Sequence, residues 1–80
     1  MKYFLYILTC SDGSLYTGIT NNVEKRMQTH RKGKGSKYVR AHMPFVLSYV
    51  EECENKSIAL KRELLIKGMN RQQKKELVST

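Results

Sequence analysis

Six consecutive residues near the N-terminus, Tyr3-Phe4-Leu5-Tyr6-Ile7-Leu8, are apolar or aromatic on both alternating sets. A strand with one wet face alternates apolar and polar residues; a strand apolar on both sides has to be covered on both. Residues 2–10, KYFLYILTC, therefore predict a strand held between two layers. A chain of 80 residues has material for one domain, residues 1–80, with a modest core. The run is too short to cross a membrane. It carries one lysine and no small-residue cleavage site, so it reads as a strand and not as a signal peptide.

The rest of the chain punctuates itself. Ser11-Asp12-Gly13 marks a turn, since Asp and Gly suit tight turn geometry. SLYTGIT, residues 14–20, reads as the returning strand. Asn21 and Asn22 are good N-caps for a helix from about Val23 to Arg31, with Val23 and Met27 turned inward. RKGKGSK is a glycine-rich basic loop, and FVLSYVEEC, residues 45–53, a third strand entered after Pro44. Asn55 or Ser57 caps a second helix that ends at Gly68, and Asn70 caps a short last helix, RQQKKELV. The order β-β-α-β-α-α with an opening hairpin predicts an α+β fold, a small antiparallel or mixed sheet packed by helices.

The hairpin register decides whether the tyrosines share a face. A two-residue loop pairs Thr9 with Tyr16 and sends Tyr16 to the face opposite Tyr6. A three-residue loop, with Gly13 in the left-handed position, pairs Leu8 with Tyr16 and Tyr6 with Gly18. The three-residue register is expected. It leaves room over Gly18 for a ring or a phosphate to lie close to the strand.

Charge points to the class of partner. Lys and Arg number 15 against 7 Asp and Glu, a net of +8. The excess is segregated: seven basic residues and no acid lie between Lys25 and Arg40, and Lys67, Arg71, Lys74 and Lys75 form a second group. A one-sided positive field suits a polyanion better than a merely soluble surface. Lys32, Lys34, Lys37 and Arg40 are the expected phosphate contacts, which position a nucleic acid without reading its sequence. No residue selects deoxyribose, so RNA stays open beside DNA, and nothing in the pattern names a protein partner. Cys10 and Cys53 match no zinc spacing; two buried thiols in a reducing cytoplasm are expected, with a disulfide as the alternative.

Arg26 and His30 lie four apart on the first predicted helix and so share a face. That helix starts just after the second strand, and its polar face can overhang the tyrosines. Tyr6, Tyr16, Arg26 and His30 in one cleft would suit a phosphodiester: arginine neutralises phosphate charge, and tyrosine or histidine moves a proton to or from an attacking water.

Leu5-Tyr6-Ile7, then Tyr16-Thr17-Gly18-Ile19-Thr20, then Arg26 and His30, resemble the GIY-YIG nuclease family. GKGSKYVRAHMP, VEEC and ALKRELLIKGMNRQQK look like its small stand-alone members. The resemblance implies a three-stranded antiparallel sheet flanked by helices. It also implies DNA cleavage with one divalent cation per site, normally magnesium, held by a glutamate on a later helix. Carried across, the tyrosines are Tyr6 and Tyr16, the glycine Gly18, the arginine Arg26, the histidine His30 and the glutamate Glu63. Tyr6 would assist the attacking water, Tyr16 and His30 orient groups or relay the proton, and Arg26 clamp the phosphate. The first motif lacks its glycine, reading Phe4-Leu5-Tyr6, and Thr17 replaces isoleucine in the second. Asn70 is a weak match to the late asparagine that many members carry, and His42 has no assigned role. With no separate targeting domain, cutting would be structure-selective, on branched, flapped or damaged DNA, or loosely specific. A non-catalytic nucleic-acid-binding module with a vestigial cleft is the alternative.

Overall fold

A computed structural model describes residues 1–79. Its strands are β1 (Tyr3–Thr9), β2 (Leu15–Thr20) and β3 (Val46–Cys53); its helices are α1 (Val23–Arg31), α2 (Lys37–Ala41), α3 (Lys56–Lys67) and α4 (Arg71–Val78). The sheet is antiparallel in the order β2-β1-β3, so the doubly apolar strand is the central one. The expected β-β-α-β-α-α order holds, with the short helix α2 added between α1 and β3. Ser36 starts α2 by accepting a hydrogen bond from the Val39 N–H.

The side chains of β1 divide between two cores. Tyr6 and Leu8 pack with Met27 of α1 and Val39 of α2 on one face. Leu5 and Ile7 pack with Ile66 of α3 on the other, flanked by Leu77 and Val78 of α4. All four of these β1 residues are fully buried; each aliphatic one stabilises the fold by about 1.5–3 kcal/mol. Both alternating sets are apolar because helices cover both faces.

The turn follows the three-residue form. Cys10 N–H donates to the Ser14 carbonyl at 2.8 Å, Gly13 takes a φ of +83°, Leu8 faces Tyr16 and Tyr6 faces Gly18. Asn22, Asn55 and Asn70 cap α1, α3 and α4 with their side chains. Cys10 and Cys53 are buried free thiols. Among the described residues no helix is long and apolar enough to cross a membrane. This layering leaves α1 and α2 over the face that carries both Tyr6 and Tyr16, and β2 as an open edge beside them.

Candidate active site

Tyr6 leaves the middle of β1 and lays its ring across the neighbouring strand. A Cβ built on Gly18 would stand 2.5 Å from Tyr6 Oη and 2.6 Å from Cζ. Only glycine lets the phenol rest there, so the space over Gly18 is filled by the ring of Tyr6 itself.

The helix α1 brings two groups to that hydroxyl. His30 Nε2 lies 2.8 Å from Tyr6 Oη. Arg26 Nε donates to the same oxygen at 3.4 Å, and Arg26 Nη2 donates to the Gly35 carbonyl at 3.3 Å. The protons can be assigned by counting. Arginine only donates, so the Tyr6 hydroxyl proton has His30 Nε2 as its acceptor, which puts the imidazole proton on Nδ1. The reverse tautomer would leave both the Tyr6 proton and Nδ1 without partners among the described residues, whereas this one leaves Nδ1 alone unpaired. Nδ1 faces Gly35, where a Cβ would come within 2.7 Å of it. Gly35 thus does for the imidazole what Gly18 does for the phenol.

Burial sets the charge state. Tyr6 is 0% and His30 1% exposed. Burial pushes the Tyr6 phenol above its ordinary value; Arg26 pulls it back, while the charges of Tyr16 and Glu63 push it further up. Burial, and then the Arg26 charge, lower the His30 imidazole. Both are neutral near pH 7, with the shared proton on the tyrosine.

Tyr16 closes the cluster from the side. Its ring meets the edge of His30 at 5.7 Å between centroids and stacks on Tyr38 at 6.0 Å. Tyr16 is half-buried, and among the described residues its hydroxyl makes no hydrogen bond. A shallow groove of about 200 Å³ opens beside Arg26, lined by Thr20, Asn21, Asn22, Lys25, Arg26 and Thr29.

Arg26 and His30 therefore meet at the Tyr6 oxygen, with Gly18 beneath and Tyr16 against the His30 ring. Glu63 approaches from α3 on the other face of the sheet. Its carboxylate is largely covered, with 17% of the side chain exposed, and lies 3.4 Å from Lys67 Nζ. Its charge is felt at Tyr6. Among the described residues no three acidic, histidine or cysteine side chains gather into a metal cage. The residues fit a cation only at one carboxylate, the form that suits magnesium, which keeps most of its waters and completes its shell from phosphate.

Lys32 and Lys34 follow α1, and Lys37 and Arg40 stand on α2. Asn70 is engaged elsewhere, in a capping box with Gln73. His42 donates from Nδ1 to the Tyr38 carbonyl at 2.7 Å and stacks on the Tyr38 ring at 4.2 Å. Gly35 and Tyr38 carry geometry that motif and spacing did not single out. The one local signal was Ser36, a helix cap placed directly between them.

Comparison with known proteins bears on this arrangement. A family model described as the GIY-YIG catalytic domain matches residues 2–76. The chain is 51% identical to a UPF0213 protein of Bacillus cereus over 94% of its own length and 78% of the relative's. It is 49% identical to a UPF0213 protein of Staphylococcus haemolyticus, over 96% and 94%. Among solved structures, it is similar to the solution NMR structure of a UPF0213 protein from Bacillus halodurans. That similarity has a TM-score of 0.64 and 42% identity, over 99% of this chain and 84% of that one. It is also similar to that of a protein from E. faecalis, with a TM-score of 0.68 and 34% identity, over 99% and 84%. With the match running through both strands of the hairpin and every helix but the end of the last, the chain belongs to the GIY-YIG family.

Proposed function

We propose that residues 1–80 form a single domain that hydrolyses phosphodiester bonds in DNA, with a divalent cation, in the cytoplasm. The observation that carries the reading is the Tyr6 hydroxyl held between His30 Nε2 at 2.8 Å and Arg26 Nε at 3.4 Å. GIY-YIG membership supports a nucleic-acid substrate, and the net charge of +8 supports a polyanion.

The two hydrogen bonds of Arg26, at 3.4 and 3.3 Å, are at the long end of the range. A phosphate in the groove beside Arg26 offers shorter, charge-assisted bonds. Moving onto that phosphate, the guanidinium leaves Tyr6 Oη, which is otherwise covered, open to the attacking water. The water then gives a proton to Tyr6 Oη while Tyr6 passes its own to His30 Nε2. Tyrosine stays neutral throughout, and imidazole takes up the charge. Hydroxide attacks phosphorus, the bond to the leaving oxygen breaks, and Arg26 balances the charge that develops on the phosphoryl oxygens. Tyr16, its hydroxyl at the edge of the cluster, orients the water or the phosphate. Glu63, on α3, is the residue that would hold magnesium or another divalent ion in exchange for its ion pair with Lys67, and the ion would supply stabilisation of the leaving oxygen. Lys32, Lys34, Lys37 and Arg40 position the flanking backbone. Selectivity then rests on shape, such as a branch, flap or lesion.

The complete burial of Tyr6 and His30 favours a second reading, a nucleic-acid-binding module whose cleft stays closed. Incubation with plasmid and with flap or branched DNA, with and without magnesium, separates the two. The nuclease cuts only with magnesium and loses activity in Glu63→Ala. Tight binding with no cutting on any substrate supports the module, and cutting that survives Glu63→Ala overturns the assignment of Glu63.

A further inference from the structure

We infer that Tyr38 is a positioning residue: its ring fixes the plane of Tyr16, and Asp12, Ser14 and His42 hold Tyr38 in turn. Tyr16 packs against the core around Tyr6, but its hydroxyl makes no hydrogen bond among the described residues. Apolar packing is non-directional, so the aim of that hydroxyl depends on the ring's aromatic neighbours. His30 meets Tyr16 edge-on at 5.7 Å, and Tyr38 lies against it at 6.0 Å, 19° from parallel. Edge-on and offset-stacked pairs are the favoured aromatic geometries. His30 is buried and bonded to Tyr6, which makes Tyr38 the outer wall for Tyr16.

Burial does not hold that wall in place, since Tyr38 is 40% exposed and belongs to neither core. A closed circuit of polar contacts does. Tyr38 Oη donates to Ser14 Oγ at 2.6 Å, and Ser14 Oγ donates to Asp12 Oδ1 at 2.6 Å. Asp12 Oδ2 lies 3.6 Å from His42 Nε2, and His42 Nδ1 donates back to the Tyr38 carbonyl at 2.7 Å. The His42 ring then stacks on Tyr38 at 4.2 Å, on an axis that Tyr16 continues. The Ser11 N–H donates to the His42 carbonyl at 3.0 Å, so the β1–β2 turn and the end of α2 are fastened through the backbone as well. Both ends of the Tyr38 ring answer to one strand: Ser14 takes its hydroxyl, and Tyr16, two residues on, takes its face. Side chains two apart on a strand point the same way. Exposed polar contacts of this kind add little to stability; here they set direction. The circuit gives His42 a role, and among the described residues the Tyr38 ring stacks on Tyr16 and His42 alone.

What Tyr16 does in cleavage rests on the proposed nuclease reading; the hold of Tyr38 on it does not. The first measurement therefore uses the full chain without DNA or metal. Three-bond NMR couplings across the Cα–Cβ bond of Tyr16 separate one rotamer from an average of several. Wild-type protein gives one rotamer. Tyr38→Leu removes the stacked ring and gives an average. Tyr38→Phe and Ser14→Ala break the same hydrogen bond from its two ends, keep all three rings and give a smaller change in the same direction. A single Tyr16 rotamer in Tyr38→Leu, or in both of the others should that variant not fold, overturns the proposal. The second measurement is single-turnover cleavage of flap DNA with magnesium. Tyr38→Leu lowers the rate about tenfold by misplacing Tyr16 and leaves DNA affinity unchanged. In a Tyr16→Phe background it adds no further loss, because Tyr38 acts through Tyr16. An equal loss in that background overturns the proposal. A wild-type protein that never cuts removes the nuclease reading, and the Tyr16 rotamers still decide the hold of Tyr38.

Discussion

Arg26 and His30, one turn apart on α1, converge on a single atom, the hydroxyl oxygen of Tyr6, from 3.4 and 2.8 Å. A donor that cannot accept and a ring nitrogen that can do either fix the direction of the proton on that oxygen. The same spacing that makes two helix residues neighbours here makes a polarised phenol, and two glycines keep it in place by having no side chain.

Gly18→Ala tests that geometry. Its methyl would stand 2.5 Å from the Tyr6 hydroxyl and 2.6 Å from its ring, and both strand and ring are packed, so the ring has to move. We expect a destabilisation of about 1–3 kcal/mol, which for a domain this small is about 4–8 °C in Tm per kcal/mol. Cleavage should fall further than the change in stability explains, because the hydroxyl is displaced from both partners. Thermal melts paired with cleavage rates check this.

The shifted groups predict two limbs in stability. His30 is lowered from about 6.5 in the fold, so below that pH the unfolded chain takes up a proton that the folded chain refuses. Stability therefore falls as pH drops from about 6.5 towards the folded value. Tyr6 is raised from about 10.0; the unfolded phenol ionises first, and stability falls as pH rises above that value. Urea titrations between about pH 5 and 7, above the carboxylate range, isolate the first limb. His30→Gln should remove it and leave the alkaline one. The acid limb of kcat/KM should likewise lie below pH 6.5, since His30 must be neutral to accept the proton.

Salt should report how many phosphates the basic residues neutralise. Every phosphate that goes without its cation lowers the slope of log affinity against log salt by about 0.7–0.9. Replacing Lys32, Lys34, Lys37 and Arg40 with glutamine should flatten it by about 3 if all four meet phosphate. An unchanged slope in fluorescence anisotropy would place the bound backbone elsewhere.

Much of the frame was legible because β1 is apolar on both sides and Ser11-Asp12-Gly13 can close only a few registers. Those two facts put Tyr16 on the face of Tyr6 and Gly18 beneath its ring. The spacing of Arg26 and His30, and of Glu63 and Lys67, read directly as helix neighbours. The segment from Gly33 to Phe45 was not legible. Its helix has five residues, too few for a periodic pattern, and its placement depends on tertiary packing through Val39. The contact of Gly35 with His30, the bond from Arg26 to the Gly35 carbonyl and the Tyr16–Tyr38–His42 stack all follow from that placement. So does the complete burial of Tyr6.

The most direct test of the account is the single-turnover rate of magnesium-dependent cleavage of a flap oligonucleotide by wild-type protein and by Tyr6→Phe. The substitution keeps the ring over Gly18 and removes one oxygen. We expect the rate to fall about 10²–10⁴-fold, the usual contribution of a positioned proton-transfer group, with DNA affinity unchanged. A Tyr6→Phe protein that folds, binds and cuts at the wild-type rate would contradict it.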